Sequence, residues 1–297
     1  MSQLPDLPVD SALKDMSERF EVMQKEFKRV KAELEAVRAR ADLGSATLAA
    51  MAASMDAPQR FTSQKRLEEI VLTESKRYRA AKPFPHIVID DFVDPGILRT
   101  IVEEFRATDR SVWNHTEGLH EQKFSTEDEQ GFGPFTRALI HVLNAGPFLT
   151  FVEKLTGVKG LISDPYLRGG GLHEIKRGGS LGVHADFNYY KRLKLYRRLN
   201  LIVYLNEGWQ DEWGGHLELW EKDGRAPVAR VAPIFNRAVM FETSNESYHG
   251  HPQPIRCPED RARQSLALYY YSVDYPYEHD RAPHSTTFLD TPTTHEH

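Results

Sequence analysis

His184 and Asp186 form an H-x-D pair, His249 follows 63 positions after Asp186, and Arg263 comes 14 after that. Two histidines and one carboxylate can occupy one face of an octahedral Fe(II) ion, leaving the other positions for a bidentate 2-oxo acid and for O2. An arginine then offers a planar cationic fork to a distal carboxylate. H-x-D alone arises often by chance. Paired with a distant histidine among short strands, it acquires specificity.

These residues need strands to bring them together. Residues i and i+2 of a strand face the same way, so His184 and Asp186 project together, and Gly178, Gly179 and Gly182 suit a sharp turn into that strand. His249 approaches from another strand. His251 competes with it as third ligand, but Pro252 restricts that backbone and marks the strand's exit, which favours His249. Along the run from Arg263 to Tyr271, alternation puts Arg263, Ser265, Ala267, Tyr269 and Tyr271 on one face, a slot for a carboxylate. Tyr204, sharing a face with Asn200 and Ile202, can donate its hydroxyl to the same group. Arg263, Tyr204, Ser265 and Asn200 are therefore the co-substrate candidates. Taken alone, Arg263 reads as a surface ion-pair residue; the metal pattern gives it a role.

The surrounding texture supports a β-rich domain. Short strands are expected at Leu199 to Leu205, His216 to Trp220, Val228 to Val231, Ala238 to Glu242 and Ser265 to Ser272, separated by Asn206-Glu207-Gly208, Trp213-Gly214-Gly215 and Lys222-Asp223-Gly224 turns. Many short strands with regular turns predict a sandwich or jelly roll. No phosphate loop occurs, and Gly169-Gly170-Gly171 lacks the helix and spacing of a dinucleotide fingerprint. The predicted class is mainly β with flanking helices (α+β).

Upstream, residues 1–10 are Pro-rich and read as a disordered tail. Leu13, Met16, Phe20, Met23, Phe27, Val30, Leu34, Val37 and Ala41 then alternate by three and four, predicting a coiled-coil helix over 11–43 and a homo-oligomer through it. The competing reading is an amphipathic helix lying on its own domain. Residues 44–80 read as linker and helix, 81–280 as the catalytic domain and 281–297 as a polar tail. Asp94 and Pro95 cap a helix to about Phe105, 136–156 looks helical, and 106–135 has the look of a functional loop.

Composition narrows the classes. The 297 residues carry a net charge of −5, with 40% hydrophobic and 27% charged residues, a soluble globular profile. Mild acidity gives no case for broad nucleic-acid binding. The single cysteine, Cys257, excludes internal disulfides and thiolate zinc clusters and fits a cytoplasmic setting. No apolar run approaches the ~20 residues of a membrane span, and the polar N-terminus carries no secretory h-region.

From Lys82-Pro83-Phe84-Pro85-His86 to Tyr271 the chain resembles the iron(II)- and 2-oxoglutarate-dependent oxygenases, more narrowly their prolyl 4-hydroxylase-like group. The resemblance rests on Gly182-Val183-His184-Ala185-Asp186, Tyr204-Leu205-Asn206, Gly214-Gly215, Asn236-Arg237, His249-Gly250 and Arg263 through Tyr271. It implies a double-stranded β-helix, His184, Asp186 and His249 as iron ligands, and Arg263 and Tyr204 at the distal carboxylate of 2-oxoglutarate. It also implies O2 consumption, release of CO2 and succinate, hydroxylation of a C–H bond with a prolyl residue as first candidate, and ascorbate as a candidate reductant. A free amino acid, a peptide natural product or a glycan is open as substrate. The 14-residue gap to Arg263 exceeds the family's usual ten or so; the Cys257-Pro258-Glu259-Asp260 turn accounts for it, with Arg256 and Arg261 as weaker carboxylate partners. Two other readings stand beside this one: a cupin-like binding or scaffold protein, and a metal enzyme of the same barrel that makes no use of 2-oxoglutarate.

Some residues are poised between roles. His216 reads as structural. His173 and Glu174 are pocket candidates, and Asn188, Tyr189 and Tyr190 a substrate gate. Trp113, Phe124, Phe132 and Phe135 belong to a lid or to its anchorage. The basic run from Lys191 to Arg198 reads as a solvated loop, with attraction of an anionic substrate as the alternative.

Overall fold

The computed structural model describes residues 61–118, 121–276 and 282–289, with helical stretches at 19–20, 23–28 and 30–31. Most of the predicted coiled coil, the disordered tail and the linker lie outside the described residues. Phe20, Met23, Phe27 and Val30 of that seam are exposed. Residues 1–56 and 57–297 form separate compact units; the second holds the site.

That unit opens with helix α1 (Gln64–Ala80) and strand β1 (His86–Ile89). Helix α2 (Pro95–Ala107) starts as predicted, with Asp94 accepting from the Ile97 amide at 2.9 Å and Pro95 in the first turn. Residues 106–135 are no bare loop. They contain the hairpin β2 (Asn114–Glu117) and β3 (Gln122–Thr126); Trp113 and Phe132 are buried, and Phe124 and Phe135 pack on the same core. The helix expected over 136–156 is two, α3 (Pro134–Asn144) and α4 (Gly146–Thr156), bent by 53°. Ala145 is extended and Pro147 cannot donate into the preceding turn, so the helix must restart. No single described helix is long and apolar enough to cross a membrane.

Strands follow: β4 (Ile162–Ser163), β5 (Gly171–Lys176), β6 (Leu181–Ala185), β7 (Tyr189–Tyr190), β8 (Leu195–Tyr204), β9 (Leu217–Trp220), β10 (Pro227–Val231), β11 (Ala238–Glu242), β12 (His249–His251), β13 (Ala262–Ser272) and β14 (Thr287–Phe288). The larger sheet runs β1-β11-β8-β13-β5-β3-β2, with β4 on β13 and β7 on β8; the smaller runs β10-β9-β12-β6-β14. Every described pairing is antiparallel. This is the mainly β, jelly-roll-like architecture expected. The polar tail predicted over 281–297 differs: residues 287–288 pair with the strand that carries His184.

Alternation divides the larger sheet. Leu199, Leu201 and Val203 of β8 and Leu266, Leu268 and Tyr270 of β13 join the main core with Leu98, Ile101, Phe105, Leu139, Leu143 and Val152 of the helices. The opposite face turns Asn200, Ile202, Arg263, Ser265, Ala267 and Tyr269 into a cavity shared with the smaller sheet. Burial of one face by helices thus fixes the register that aims the other.

Candidate metal centre and co-substrate cavity

His184 and His249 sit opposite each other on paired strands β6 and β12. Gly250, next to His249, permits this: a Cβ there would lie 2.7 Å from the Gly182 carbonyl oxygen. Asp186 follows β6 immediately. Its Oδ1 lies 3.6 Å from His184 Nε2 and its Oδ2 3.5 Å from His249 Nε2, and one ligand atom from each residue fits within 4.8 Å of the others.

The far side of each imidazole is fixed. His184 Nδ1 donates to the Gly182 carbonyl at 2.8 Å and His249 Nδ1 to the Ser247 carbonyl at 2.9 Å. Such bonds set tautomer and ring orientation in metal-binding histidines, and they aim both Nε2 lone pairs at the carboxylate. Burial, reinforced by His184, pushes the His249 imidazole down to about 4, so it stays neutral at pH 7. Asp186 is ionised: burial alone would raise its carboxyl, but Arg197, His249 and His184 together hold it well below the usual carboxylate range. Bare nitrogens and a carboxylate converging on one point repel one another unless a cation lies between them. The donor set fits Fe(II) with open positions.

Asp186 is braced by a pair the sequence reading misplaced. Arg197 Nη2 lies 2.9 Å from Asp186 Oδ2, and Asn200 Nδ2 donates to the same oxygen at 2.8 Å. Arg197 also donates to Asn200 Oδ1 through Nε and Nη2, at 2.9 and 2.7 Å, and its guanidinium stacks on Tyr269 at 3.5 Å. Asn200 lines the cavity, as expected of a co-substrate residue, but its amide is committed to Asp186. Arg197 and Arg198 are both buried, so the basic run is a solvated loop only at Lys191, Arg192 and Lys194. The cause is an irregularity in the β8–β13 ladder, where Leu199 faces Tyr270 but Arg197 faces Tyr271. The extra residue on β8 turns Arg197 inward beside Asn200. Strict alternation could not have found it; Tyr271, expected on the same face as Tyr269, pairs with Arg197 and does not line the cavity.

Arg263 lies at the opposite end of the cavity, 6% exposed. Its Nε donates to the Gly215 carbonyl at 2.8 Å and its Nη2 to the Tyr204 hydroxyl at 3.0 Å. Gly215 has φ +70°, and a Cβ there would come within 3.1 Å of Arg263 Cδ, so the turn leaves room for the guanidinium. Tyr204 is fully buried behind Arg263 and keeps its own proton to donate. Ser265 and Ala267 line the wall between Arg263 and the metal residues, and Ile175, Ile202 and Leu217 make it apolar. The enclosed volume is about 210 Å³.

His251 also lines this cavity. It is 3% exposed, and neither ring nitrogen has a hydrogen-bond partner among the described residues. Burial and the nearby Arg263 push its imidazole well below the ordinary value. His173 reaches the cavity too, its Nε2 3.1 Å from the Gly169 carbonyl, and burial pushes it down to about 3. Glu174 does not: it faces away, bound to Arg110 and Gln264. His216 bonds Asp211 at 2.7 Å, and Arg256 and Arg261 lie outside the cavity lining. Glu121, bridged to Leu181 just before β3, Lys123 of β3, and Thr286 and Phe288 at β14 complete the wall; no motif marks them, since they arrive through sheet pairing. Phe288 packs its ring 5.3 Å from His184.

Residues 170–271 match the family model of the 2OG-Fe(II) oxygenase superfamily. The chain carries a domain of that superfamily and is a 2-oxoglutarate-dependent dioxygenase, using Fe(II), 2-oxoglutarate and O2. No curated protein matches the sequence. Two solved structures share the fold at a TM-score of 0.50. One is a Trichoplax adhaerens prolyl hydroxylase in complex with a hypoxia inducible factor peptide, 15% identical, covering 70% of this chain and 91% of that one. The other is a Phytophthora capsici prolyl 4-hydroxylase, 20% identical, covering 70% of this chain and 65% of that one.

Proposed function

We propose that this dioxygenase hydroxylates an unactivated C–H bond, with His184, Asp186 and His249 holding the iron and Arg263 holding the distal carboxylate of 2-oxoglutarate. The observation that carries this reading is the meeting of the His-Asp-His set and Arg263 in one cavity closed by apolar side chains. When bound, iron and 2-oxoglutarate couple O2 reduction to loss of CO2, so R–H, O2 and 2-oxoglutarate give R–OH, succinate and CO2.

The protein's part is positioning. Gly182 and Ser247 carbonyls orient the imidazoles. Arg197 and Asn200 keep the Asp186 carboxylate ionised and turn Oδ2 toward themselves, leaving Oδ1 free toward the metal position. Arg263 gives a charge-assisted bond to the co-substrate, and Tyr204 both supports the guanidinium and donates its hydroxyl. Ser265 contributes a second hydroxyl. Ile175, Ile202 and Leu217 exclude water, which strengthens each of these contacts. A prolyl residue is the first substrate candidate, supported by the shared fold alone.

The test is an anaerobic visible spectrum of the protein with Fe(II), before and after adding 2-oxoglutarate. A charge-transfer band in wild type, lost in His184→Ala, is expected. No band in folded, iron-loaded protein would overturn the assignment of the ligand set. We further propose that residues 11–43 self-associate; removal of residues 1–45 should lower the mass seen by light scattering, and an unchanged mass would sink that idea.

A further inference from the structure

Outside the metal cavity lies a second cleft that shares two of its walls, Phe187 and Thr286. Its volume is about 710 Å³, within the about 300–1,000 Å³ range of small-molecule sites. Phe187 directly follows the ligand Asp186, so whatever fills this cleft sits at the approach to the metal.

The chemistry of the cleft is one-sided. Arg168, Lys191 and Arg192 line it, and among the described residues no carboxylate does. The side chains of Arg168 and Lys191 make no ion pair with a described residue. Arg192 lies over Tyr166, its guanidinium carbon 3.5 Å from the ring centre, a contact that occupies its face and not its N–H edge. Two acids are near, since both Asp164 and Glu127 act on Tyr190, but each is engaged by backbone. Asp164 accepts from the Tyr166 and Arg168 amides at 2.9 and 2.7 Å, and Glu127 from the Gly169 amide at 2.8 Å. The chain as a whole is acidic, with net charge −5, so this concentration of cations is local.

The remaining walls are aromatic and anchored. Tyr189 and Tyr190 line the cleft, packed against Tyr196 and Tyr271 at 4.9 and 5.9 Å. Residues 283–286 form the far rim. Asn188 ties that rim down, donating to the Ala282 carbonyl and accepting from the His284 amide, both at 3.0 Å.

We infer that the substrate of this oxygenase carries an oxyanion, a carboxylate or a phosphate ester, which Arg168, Lys191 and Arg192 hold while its apolar part lies on Tyr189 and Tyr190 and reaches past Phe187 to the metal. The inference rests on the oxygenase reading of the adjoining cavity. It deepens that reading by giving the substrate a charge. A free amino acid or a phosphorylated small molecule meets the requirement; an unmodified neutral peptide segment does not.

The test uses the full chain loaded anaerobically with Fe(II) and saturating 2-oxoglutarate, so that Arg263 is occupied. Phenyl phosphate and benzoate are titrated by calorimetry against benzyl alcohol and benzylamine. The anions should bind more tightly than the alcohol by about tenfold or more, the worth of one charge-assisted hydrogen bond. Arg168→Gln with Arg192→Gln should remove the preference, and the corresponding lysine pair should restore most of it. Both arginines sit at the surface, so neither change asks the core to repack. Equal binding of phenyl phosphate and benzyl alcohol, or a preference that survives the double glutamine variant, would overturn the inference. The charge-transfer band in the same sample keeps the two readings apart. Anion preference without the band overturns the metal assignment and leaves the cleft; the band without anion preference overturns the cleft alone.

Discussion

Arg197→Met should destabilise the metal-free protein and make its stability more dependent on added metal. Arg197 is 3% exposed and lies 2.9 Å from Asp186 Oδ2. Methionine keeps most of the volume but removes the cation, leaving a buried carboxylate with Asn200 as its remaining donor and depriving Asn200 Oδ1 of two bonds. Breaking a buried pair by removing one partner costs about 3–5 kcal/mol. At about 2–4 °C per kcal/mol for a domain of this size, the melting temperature of chelator-treated protein should fall by on the order of 10 °C. A divalent cation at the His184–Asp186–His249 position supplies positive charge to the same carboxylate. Zinc(II) should therefore raise Tm by more in the variant than in wild type. The assay is a thermal melt of both proteins with chelator and with excess zinc. A metal-free loss below about 1 kcal/mol, the worth of an exposed pair, together with equal metal increments, would refute the argument.

Other perturbations separate the parts of the site. Arg263→Ala should weaken 2-oxoglutarate binding by about a hundredfold, as expected when a charged hydrogen-bond partner of about 1.5–3 kcal/mol is lost, while iron binding persists in dialysis followed by metal analysis; loss of iron would show that Arg263 supports the fold instead. His251→Leu removes two buried nitrogens without partners among the described residues, so Tm should hold or rise while 2-oxoglutarate affinity, read from the charge-transfer titration, falls; a large drop in Tm would mean the imidazole packs structurally. The stability of metal-free protein should decline between pH ~6.5 and ~4, because the unfolded chain protonates His249 near ~6.5 and the folded chain only near about 4. The folded state thus binds fewer protons across that window, and the loss from His249 alone approaches about 3 kcal/mol. His173, pushed to about 3, adds to the same slope. Urea midpoints that stay flat from pH 7 to 5 would contradict the burial of these neutral imidazoles.

The proposed ligand set was legible because its chemistry leaves a local trace: the i, i+2 pair at a strand, and a histidine on the strand that pairs with it. Arg263 with Tyr204 was readable for a related reason, since alternation along β8 and β13 aimed both inward and their partners need not be known. Arg197 was hidden because one extra residue in β8 reverses the face it would otherwise take. The break at Ala145 was marked in the sequence by Pro147 yet masked by a continuous apolar pattern across it. Residues 287–288 look polar and terminal, and only pairing with β6 gives them a place beside His184. What pairs with what over long separations is set by packing, and single-strand patterns do not carry it.

His184 and His249 are 65 residues apart in the chain and directly opposed in the sheet. An ion bound to both therefore closes a long loop, and closing it removes conformational freedom from the unfolded chain as well as adding contacts to the folded one. The metal is then a tether for the smaller sheet in addition to a reagent. Any divalent ion that accepts two imidazoles and a carboxylate can serve as the tether, whatever its redox chemistry. Resistance to proteolysis between residues 185 and 248 should thus rise with metal concentration by mass action, on a scale independent of turnover, and a catalytically silent ion can protect the chain as well as iron does.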